Sequence, residues 1–330
     1  MKNTGRSLEL DAAKGVAISL VVWGHIVSKD FVKPVGNDWY FVLNSRLYEF
    51  HMAFFFFLAG VVYFLSSDGD WWGRWKKTAR RLIPAYLLFA AIVFLLKGAA
   101  ARFMPVNARV GGGWTDVLLQ FLYPSQGAAQ YLWFIVVLLE LQILVPWLLR
   151  FLPRKNLWLA FALSWIFHLM AVNGYVTDLF ALKWMFRYMP FFVAGALIVE
   201  YRPRFDALLD QWRWGFIVVF LVFMALAPKS VLPTIGAVLS VFALMALARY
   251  LCEKELAGWF IFLGVNSFTI YLMNSLAMGL ARSIFVKTWG WDDWRFVPVV
   301  LALWLIGLSV PIFIQRKFFS RFGYLDRITR

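Results

Sequence analysis

Cysteine, histidine and acidic charge are all scarce in this chain. The one cysteine, Cys252, cannot close an intrachain disulfide, and no CxxC or zinc-type spacing is present. Neither a redox role nor a structural metal is expected, and no metal is assigned. Aspartate and glutamate number 18 against 33 lysines and arginines, a formal charge of +15. An excess of that size raises nucleic acid as a partner. The basic residues, however, punctuate apolar runs instead of forming a tail or a patterned helix, so no nucleic acid is expected. Repeats at a solenoid period and low-complexity tracts are missing as well.

What the chain has is apolar surface. It is 62% hydrophobic and 15% charged, with 18 Trp and 34 Phe, far above the apolar share of a soluble domain. Its place is a lipid bilayer. Apolar runs fall at about 12–28, 50–65, 82–98, 131–149, 156–172, 184–200, 214–227, 231–250, 264–285 and 296–314. Each is about the length a helix needs to cross some 30 Å of hydrocarbon, the second only with help from flanking aromatics. The expected fold is an all-α integral membrane protein, about ten transmembrane helices in a single bundle, with residues 1–330 as one polytopic domain. Placing the N-terminus in the cytoplasm puts 21 of the 33 Lys and Arg on that side, as the positive-inside bias demands. Both termini are then cytoplasmic. The first run holds Lys14 and a Trp-Gly-His end without an A-x-A-like site, so it is read as a retained helix and not as a cleaved signal peptide.

The first run is also the most informative. In DAAKGVAISLVVWGH, residues 11–25, Lys14 and His25 are eleven positions apart and return to within about 20° of each other on a helix, separated by roughly 16 Å. Asp11 lies one turn before Lys14, near the same stripe. Intramembrane charge is costly and marks function first, although a snorkelling Lys14 and an interfacial His25 fit the same pattern. In the predicted topology His25 ends the first span at the outer surface and His51, preceded by Glu49, begins the second span there. An imidazole takes a proton from a hydroxyl near neutral pH, and a carboxylate orients the imidazole. His25, His51 and Glu49 are therefore the candidate catalytic residues for acyl transfer to an alcohol. A solvated loop carboxylate and a hydrated helix start are the plainer readings of Glu49 and His51. His168, in the fifth run, receives no role.

At the opposite surface GRWKKTARRLIPAY, residues 73–86, gathers Arg74, Lys76, Lys77, Arg80 and Arg81. Such a cluster anchors a helix or contacts anionic lipid. Arginine is equally suited to bidentate phosphate contacts. With Lys14 facing the same compartment, Lys77, Arg80 and Arg81 are candidates for holding a phosphorylated cofactor.

Six stretches carry a resemblance. They are LDAAKGVAISLVVWGH at 10–25, YEFHMAFFFFLAGVVY at 48–63, KKTARRLIPAY at 76–86, YLWFIVVLLEL at 131–141, MPFFVAGALI at 189–198 and FTIYLMNSLAM at 268–278. In that order they resemble the membrane-bound acyltransferase family 3, and within it the branch similar to fucose 4-O-acetylases; the first two stretches are the specific ones. The resemblance implies a bacterial inner-membrane enzyme that takes an acetyl group from cytoplasmic acetyl-CoA. The acceptor it implies is a hydroxyl of a cell-envelope or exported polysaccharide, or of its lipid-linked precursor, with glycan assembly or export proteins as further partners. The family's basic residue, then ten, then histidine falls on Lys14 and His25, with lysine where the family usually has arginine. Its pair of arginines three apart falls loosely on Lys77 and Arg80, with Arg81 one residue on. Many relatives read Tyr-Leu-x-His where this chain has Asn274. Tyr271, Asn274 and Trp133 are the acceptor-binding residues this implies. Some members carry a soluble domain after the membrane part; none is expected here, since only about sixteen residues follow the last run.

A carrier that moves a lipid-linked sugar or polar solute without chemistry is the competing class, since Lys14, Glu140, Arg187 and Asn274 also suit a transport path. Symmetrical halves and paired Gly/Pro-broken spans, the marks of many secondary transporters, are not visible.

Overall fold

The computed structural model describes residues 8–27, 34–66, 70–100, 113–151 and 156–329. These form helices joined by turns and loops, with no strand among the described residues. In order the helices are α1 (Leu8–Gly24), α2 (Asp38–Leu65), α3 (Trp71–Ala100), α4 (Trp114–Leu122), α5 (Trp133–Leu149), α6 (Leu157–Val172), α7 (Leu182–Glu200), α8 (Arg202–Leu226), α9 (Ala237–Glu253), α10 (Gly258–Val265), α11 (Ser267–Thr288), α12 (Phe296–Lys317) and α13 (Gly323–Thr329). Eight of them, α2, α3, α5, α7, α8, α9, α11 and α12, are long and apolar enough to cross a membrane. Each of the ten predicted runs overlaps a helix, but the first and fifth fall on α1 and α6, of 17 and 16 residues.

Three boundaries depart from the sequence reading. α2 begins at Asp38 instead of near residue 50, so Glu49 and His51 lie inside a 28-residue helix and not at its start. Hydropathy hides its first half because Asn44, Ser45, Arg46 and Glu49 interrupt it. The buried positions Tyr40, Asn44, Leu47, His51, Phe54, Leu58 and Val61 nevertheless recur at spacings of three and four, the pattern of one helix face. α8 likewise starts twelve residues before its predicted run and kinks at Trp212. The run at 264–285 is broken at Asn266, whose side-chain amide donates to the Phe262 carbonyl and ends α10 before α11 begins.

α1 is the centre of the bundle and packs against α2, α9, α10, α11 and α12. Its residues from Asp11 to Ser19 are buried except Lys14. Two glycines bring α1 against α10 at backbone distance: a Cβ on Gly15 would overlap the Phe260 carbonyl, and one on Gly264 would overlap the Asp11 carbonyl. α2 and α7 cross in the same way through Gly60 and Gly195. Close backbone approach at small residues is how helices gain van der Waals contact where no hydrophobic drive operates. Gly60, Gly195 and Gly264 stand out in the sequence as small residues inside apolar runs, and this is what they do.

Candidate functional site

Five helices contribute one stripe each to a cavity of about 570 Å³. α1 gives Lys14 and Val21. α2 gives Met52, Phe55, Leu58, Ala59, Val62 and Tyr63, with Ser66 just beyond its end. Arg74, Lys77, Thr78 and Arg81 come from α3, Phe134, Leu138 and Gln142 from α5, and Ser267, Phe268 and Tyr271 from α11. On α1, α2 and α5 the gradient runs the same way. Cations and hydroxyls cluster where α2 ends and α3 begins, and apolar side chains take over toward Val21, Met52 and Phe134. From Ser66 to Met52 the wall of α2 covers fourteen residues, about 21 Å.

The basic end holds four cations, Lys14, Arg74, Lys77 and Arg81, and the wall carries no acidic side chain among the described residues. Lys14 Nζ lies 2.9 Å from Oδ1 of Asp11, whose side chain is only 3% exposed. A carboxylate buried that deeply needs its countercharge, so the ammonium is held in place and does not simply snorkel. Arg74 donates to the Tyr63 and Ser66 carbonyls at 3.2 and 2.9 Å, closing the C-terminal turn of α2, and lies over the Tyr63 ring. Arg81 lies over the Phe268 ring. Positions 74, 77 and 81 are spaced by three and four and share a face of α3; Arg80 is exposed and stands off the cavity wall. Of the sequence candidates on α3, Lys77 and Arg81 line the cavity and Arg80 does not, although Lys77 with Arg80 has the family's spacing of three.

The cavity stops at Val21 and Met52. His25 lies four residues beyond Val21, about 6 Å of helical rise, and His51 is the neighbour of Met52. His25 sits where α1 ends, among carbonyls that have lost their helical partners. Those carbonyls are taken up by side chains from other helices. Tyr40 donates to Trp23 at 2.9 Å, Tyr48 to Gly24 at 2.9 Å, and Asn44 to Gly24 at 3.4 Å. Arg282 of α11, itself buried, donates to Ile26 at 2.8 Å. The Tyr48 ring meets both imidazoles edge-on, His25 at 6.4 Å and His51 at 5.1 Å. His51 Nδ1 lies 2.7 Å from the Leu47 carbonyl. A carbonyl only accepts, so Nδ1 carries the proton and Nε2 is the nitrogen with a free lone pair in the neutral ring.

Glu49 does not orient an imidazole, as the sequence reading had it. Two residues on a helix point about 200° apart, and Glu49 is bound instead by Arg187 of α7 at 2.6 Å. Asn274 is buried, and its amide nitrogen donates to the Ile270 and Tyr271 carbonyls of its own helix; its oxygen accepts from Ser275. It is off the cavity wall, unlike Tyr271, whose hydroxyl donates to the Tyr131 carbonyl at 2.7 Å. Trp133 is also off the wall, in an aromatic cluster with Phe56, Trp184 and Tyr188. His168 is satisfied on both ring nitrogens, by the Arg187 carbonyl and by Thr234 Oγ1.

Sequence reasoning missed Tyr48, Arg74, Arg282, Tyr63 and Gln142 as site residues. Arg282 was legible as a cation inside an apolar run. Arg74 was legible from its spacing of three and seven to Lys77 and Arg81. Nothing in the sequence singles out Gln142 or the two tyrosines.

Apolar helices thus surround a cavity with a cationic mouth and two imidazoles near its far end. The profile of the acyltransferase domain family matches residues 7–316, and the chain belongs to that family. It is also similar to the nodulation protein NolL of Mesorhizobium japonicum, at 24% identity over 218 residues, 65% of this chain and 53% of that protein. The match thus spans about half the length of that relative. No solved structure matches the chain.

Proposed function

We propose that this membrane acyltransferase is an O-acetyltransferase. It moves an acetyl group from cytoplasmic acetyl-CoA to a hydroxyl of a cell-envelope or exported glycan, or of its lipid-linked precursor, with both termini in the cytoplasm of a bacterial inner membrane. One observation carries the reading: the cavity begins among Lys14, Arg74, Lys77 and Arg81 and ends one helical turn from His25 and beside His51. Phosphates at the cationic mouth place a thioester at the end of a long arm near the imidazoles. His25 then takes the proton from the acceptor hydroxyl as that oxygen attacks the thioester carbonyl. The carbon–sulfur bond breaks, and the thiolate leaves with the proton that His25 returns. His51, with Nδ1 committed to Leu47, offers only Nε2 to the acceptor. Arg282 and Tyr48 hold the end of α1 in register, a positioning role.

The test uses the full chain purified into lipid nanodiscs with labelled acetyl-CoA and delipidated envelope glycan. Free thiol release that depends on the glycan, with label recovered in alkali-labile esters, is the expected result. Intact acetyl-CoA beside transport of the sugar in proteoliposomes would overturn the reading in favour of a carrier.

A further inference from the structure

α3 divides its cations between two faces. Arg74, Lys77 and Arg81 line the cavity, whereas Lys76 and Arg80 are exposed and stand off its wall. At 100° per residue the two sets look about 110° apart. Lys76 and Arg80 belong to a stripe of exposed positions at spacings of three and four, with Trp72 behind them and Ile83, Leu87 and Ala91 ahead. The stripe is cationic at one end and apolar at the other, on a helix long and apolar enough to cross a membrane. From Arg80 to Ala91 it covers about 16 Å, half of a hydrocarbon core some 30 Å thick.

The cationic end is held in place by a chain of contacts. Trp75 donates its indole N–H to the Leu139 carbonyl of α5 at 3.2 Å. Trp72 stacks on Trp75 with ring centroids 5.0 Å apart and planes 5° from parallel, and the Lys76 ammonium lies 5.2 Å from the Trp72 ring centroid. The ring stack positions that ammonium without an anion. Neither Lys76 nor Arg80 has a carboxylate partner among the described residues, and α3 contains no Asp or Glu. Asp70, just ahead of the helix, accepts instead from the Gly73 amide. Tryptophan rings favour the headgroup level of a bilayer, so two cations without an anion stand where lipid phosphates lie.

We propose that this outer stripe of α3 is a binding site for an anionic phospholipid, its phosphate held by Lys76 and Arg80 and an acyl chain laid along Ile83, Leu87 and Ala91. Complementarity selects the occupant. A zwitterionic headgroup brings an ammonium of its own to the two cations, and a free phosphate leaves the apolar part of the stripe uncovered. An anionic lipid matches both parts. The site lies outside the cavity and does not depend on the identity of the donor. It also separates the two uses of the basic cluster, with the lipid taking the outward charges of α3 and the cavity keeping the inward ones.

Native mass spectrometry of the full chain in detergent tests this by titration with phosphatidylglycerol, phosphatidylcholine and glycerophosphoglycerol, the headgroup without its chains. Wild-type protein is expected to retain phosphatidylglycerol in preference to the other two. Lys76→Gln combined with Arg80→Gln should weaken phosphatidylglycerol by about thirtyfold, about fivefold for each cation removed. The same variant should elute as wild type on size exclusion and keep its coenzyme A affinity. Lys77→Gln combined with Arg81→Gln should do the reverse, keeping the lipid and weakening coenzyme A. Equal retention of phosphatidylglycerol by wild type and the 76/80 variant overturns the lipid site, as does equal binding of phosphatidylcholine or of glycerophosphoglycerol. A loss of phosphatidylglycerol as large in the 77/81 variant as in the 76/80 variant also overturns it, by placing the lipid in the cavity mouth. Protein that shows the expected lipid pattern but binds no coenzyme A keeps the lipid site and loses the donor assignment.

Discussion

The two ends of α1 hold their polar groups in opposite ways. At the basic end the cations converge from two helices, are partly exposed, and leave hydrogen-bonding capacity toward the cavity: Lys14 is anchored by Asp11, Arg74 by two carbonyls, and Arg81 by a ring face. At the histidine end nearly every polar side chain is committed to the backbone. Tyr40, Asn44, Tyr48 and Arg282 bind carbonyls of residues 23–26, and His51 binds Leu47. In the proposed reaction the cationic end meets a flexible, hydrated ligand and tolerates adjustable charges, whereas a general base has to be fixed to within fractions of an ångström, and the side chains at the histidine end lock α1 in place.

The contact that serves both ends breaks everything at once. Gly15→Val sets a branched side chain against the Phe260 backbone, which has no rotamer with which to move aside. Separation of α1 from α10 is expected to abolish detergent-stable folded protein, as read by size-exclusion fluorescence. A monodisperse variant with wild-type donor binding would show that α1 is not the keystone of the bundle.

At the histidine end alone, His25→Ala should lower acetyl transfer by about 10²–10⁴-fold, the usual worth of a general base. Coenzyme A affinity should stay at the wild-type value, because the cavity stops at Val21. Initial rates and equilibrium binding on the same preparation separate the two quantities. Retained turnover in inserted His25→Ala protein would move the reaction centre elsewhere.

At the basic end the contrast lies between neighbours. Arg81→Ala should weaken coenzyme A by about tenfold or more, since a charged hydrogen bond is worth about 1.5–3 kcal/mol, whereas Arg80→Ala should change little. The distinction was readable from sequence only in part. Helical spacing joins 74, 77 and 81, but Lys77 with Arg80 has the family's spacing of three, and only the packing of α3 against α5 decides which faces inward. The same limit explains the rest. Apolar runs located the eight helices long and apolar enough to cross a membrane, with α1 and α6, because burial in lipid or in the bundle leaves a one-dimensional trace. The first half of α2 was lost because its polar residues serve α1 and α7 instead of water, and the break at Asn266 was lost because one amide in an apolar run carries no hydropathy signal.

Glu49 sharpens the comparison from the side. Because it is bound to Arg187 and not to an imidazole, Glu49→Gln should leave the pH profile of turnover in its wild-type position. The charge it leaves on Arg187 is partly exposed, so a modest loss of thermal stability is expected, on the order of 1 kcal/mol after allowance for screening. A shifted acidic limb of the profile in that variant would return Glu49 to the reaction end.

The smallest effect is expected at Asn274, and its smallness is the point. The side chain stands where many relatives place a histidine, which invites a role in holding the acceptor. Its hydrogen bonds run the other way: the amide nitrogen is spent on the Ile270 and Tyr271 carbonyls and the oxygen receives the Ser275 hydroxyl. Bonds from a side chain to carbonyls three and four residues back compete with the helix ladder and contribute only local stability, about 0.5–1.5 kcal/mol. Asn274→Ala should therefore leave both kcat and the acceptor KM within about twofold of wild type, with a fall of a few degrees at most in Tm. Asn274→His, which restores the ionisable ring of the relatives, should likewise fail to raise the rate, because the position is buried and stands off the cavity wall. A rise in acceptor KM in Asn274→Ala, with kcat and Tm unchanged, would show that the amide turns toward the glycan when substrate is bound.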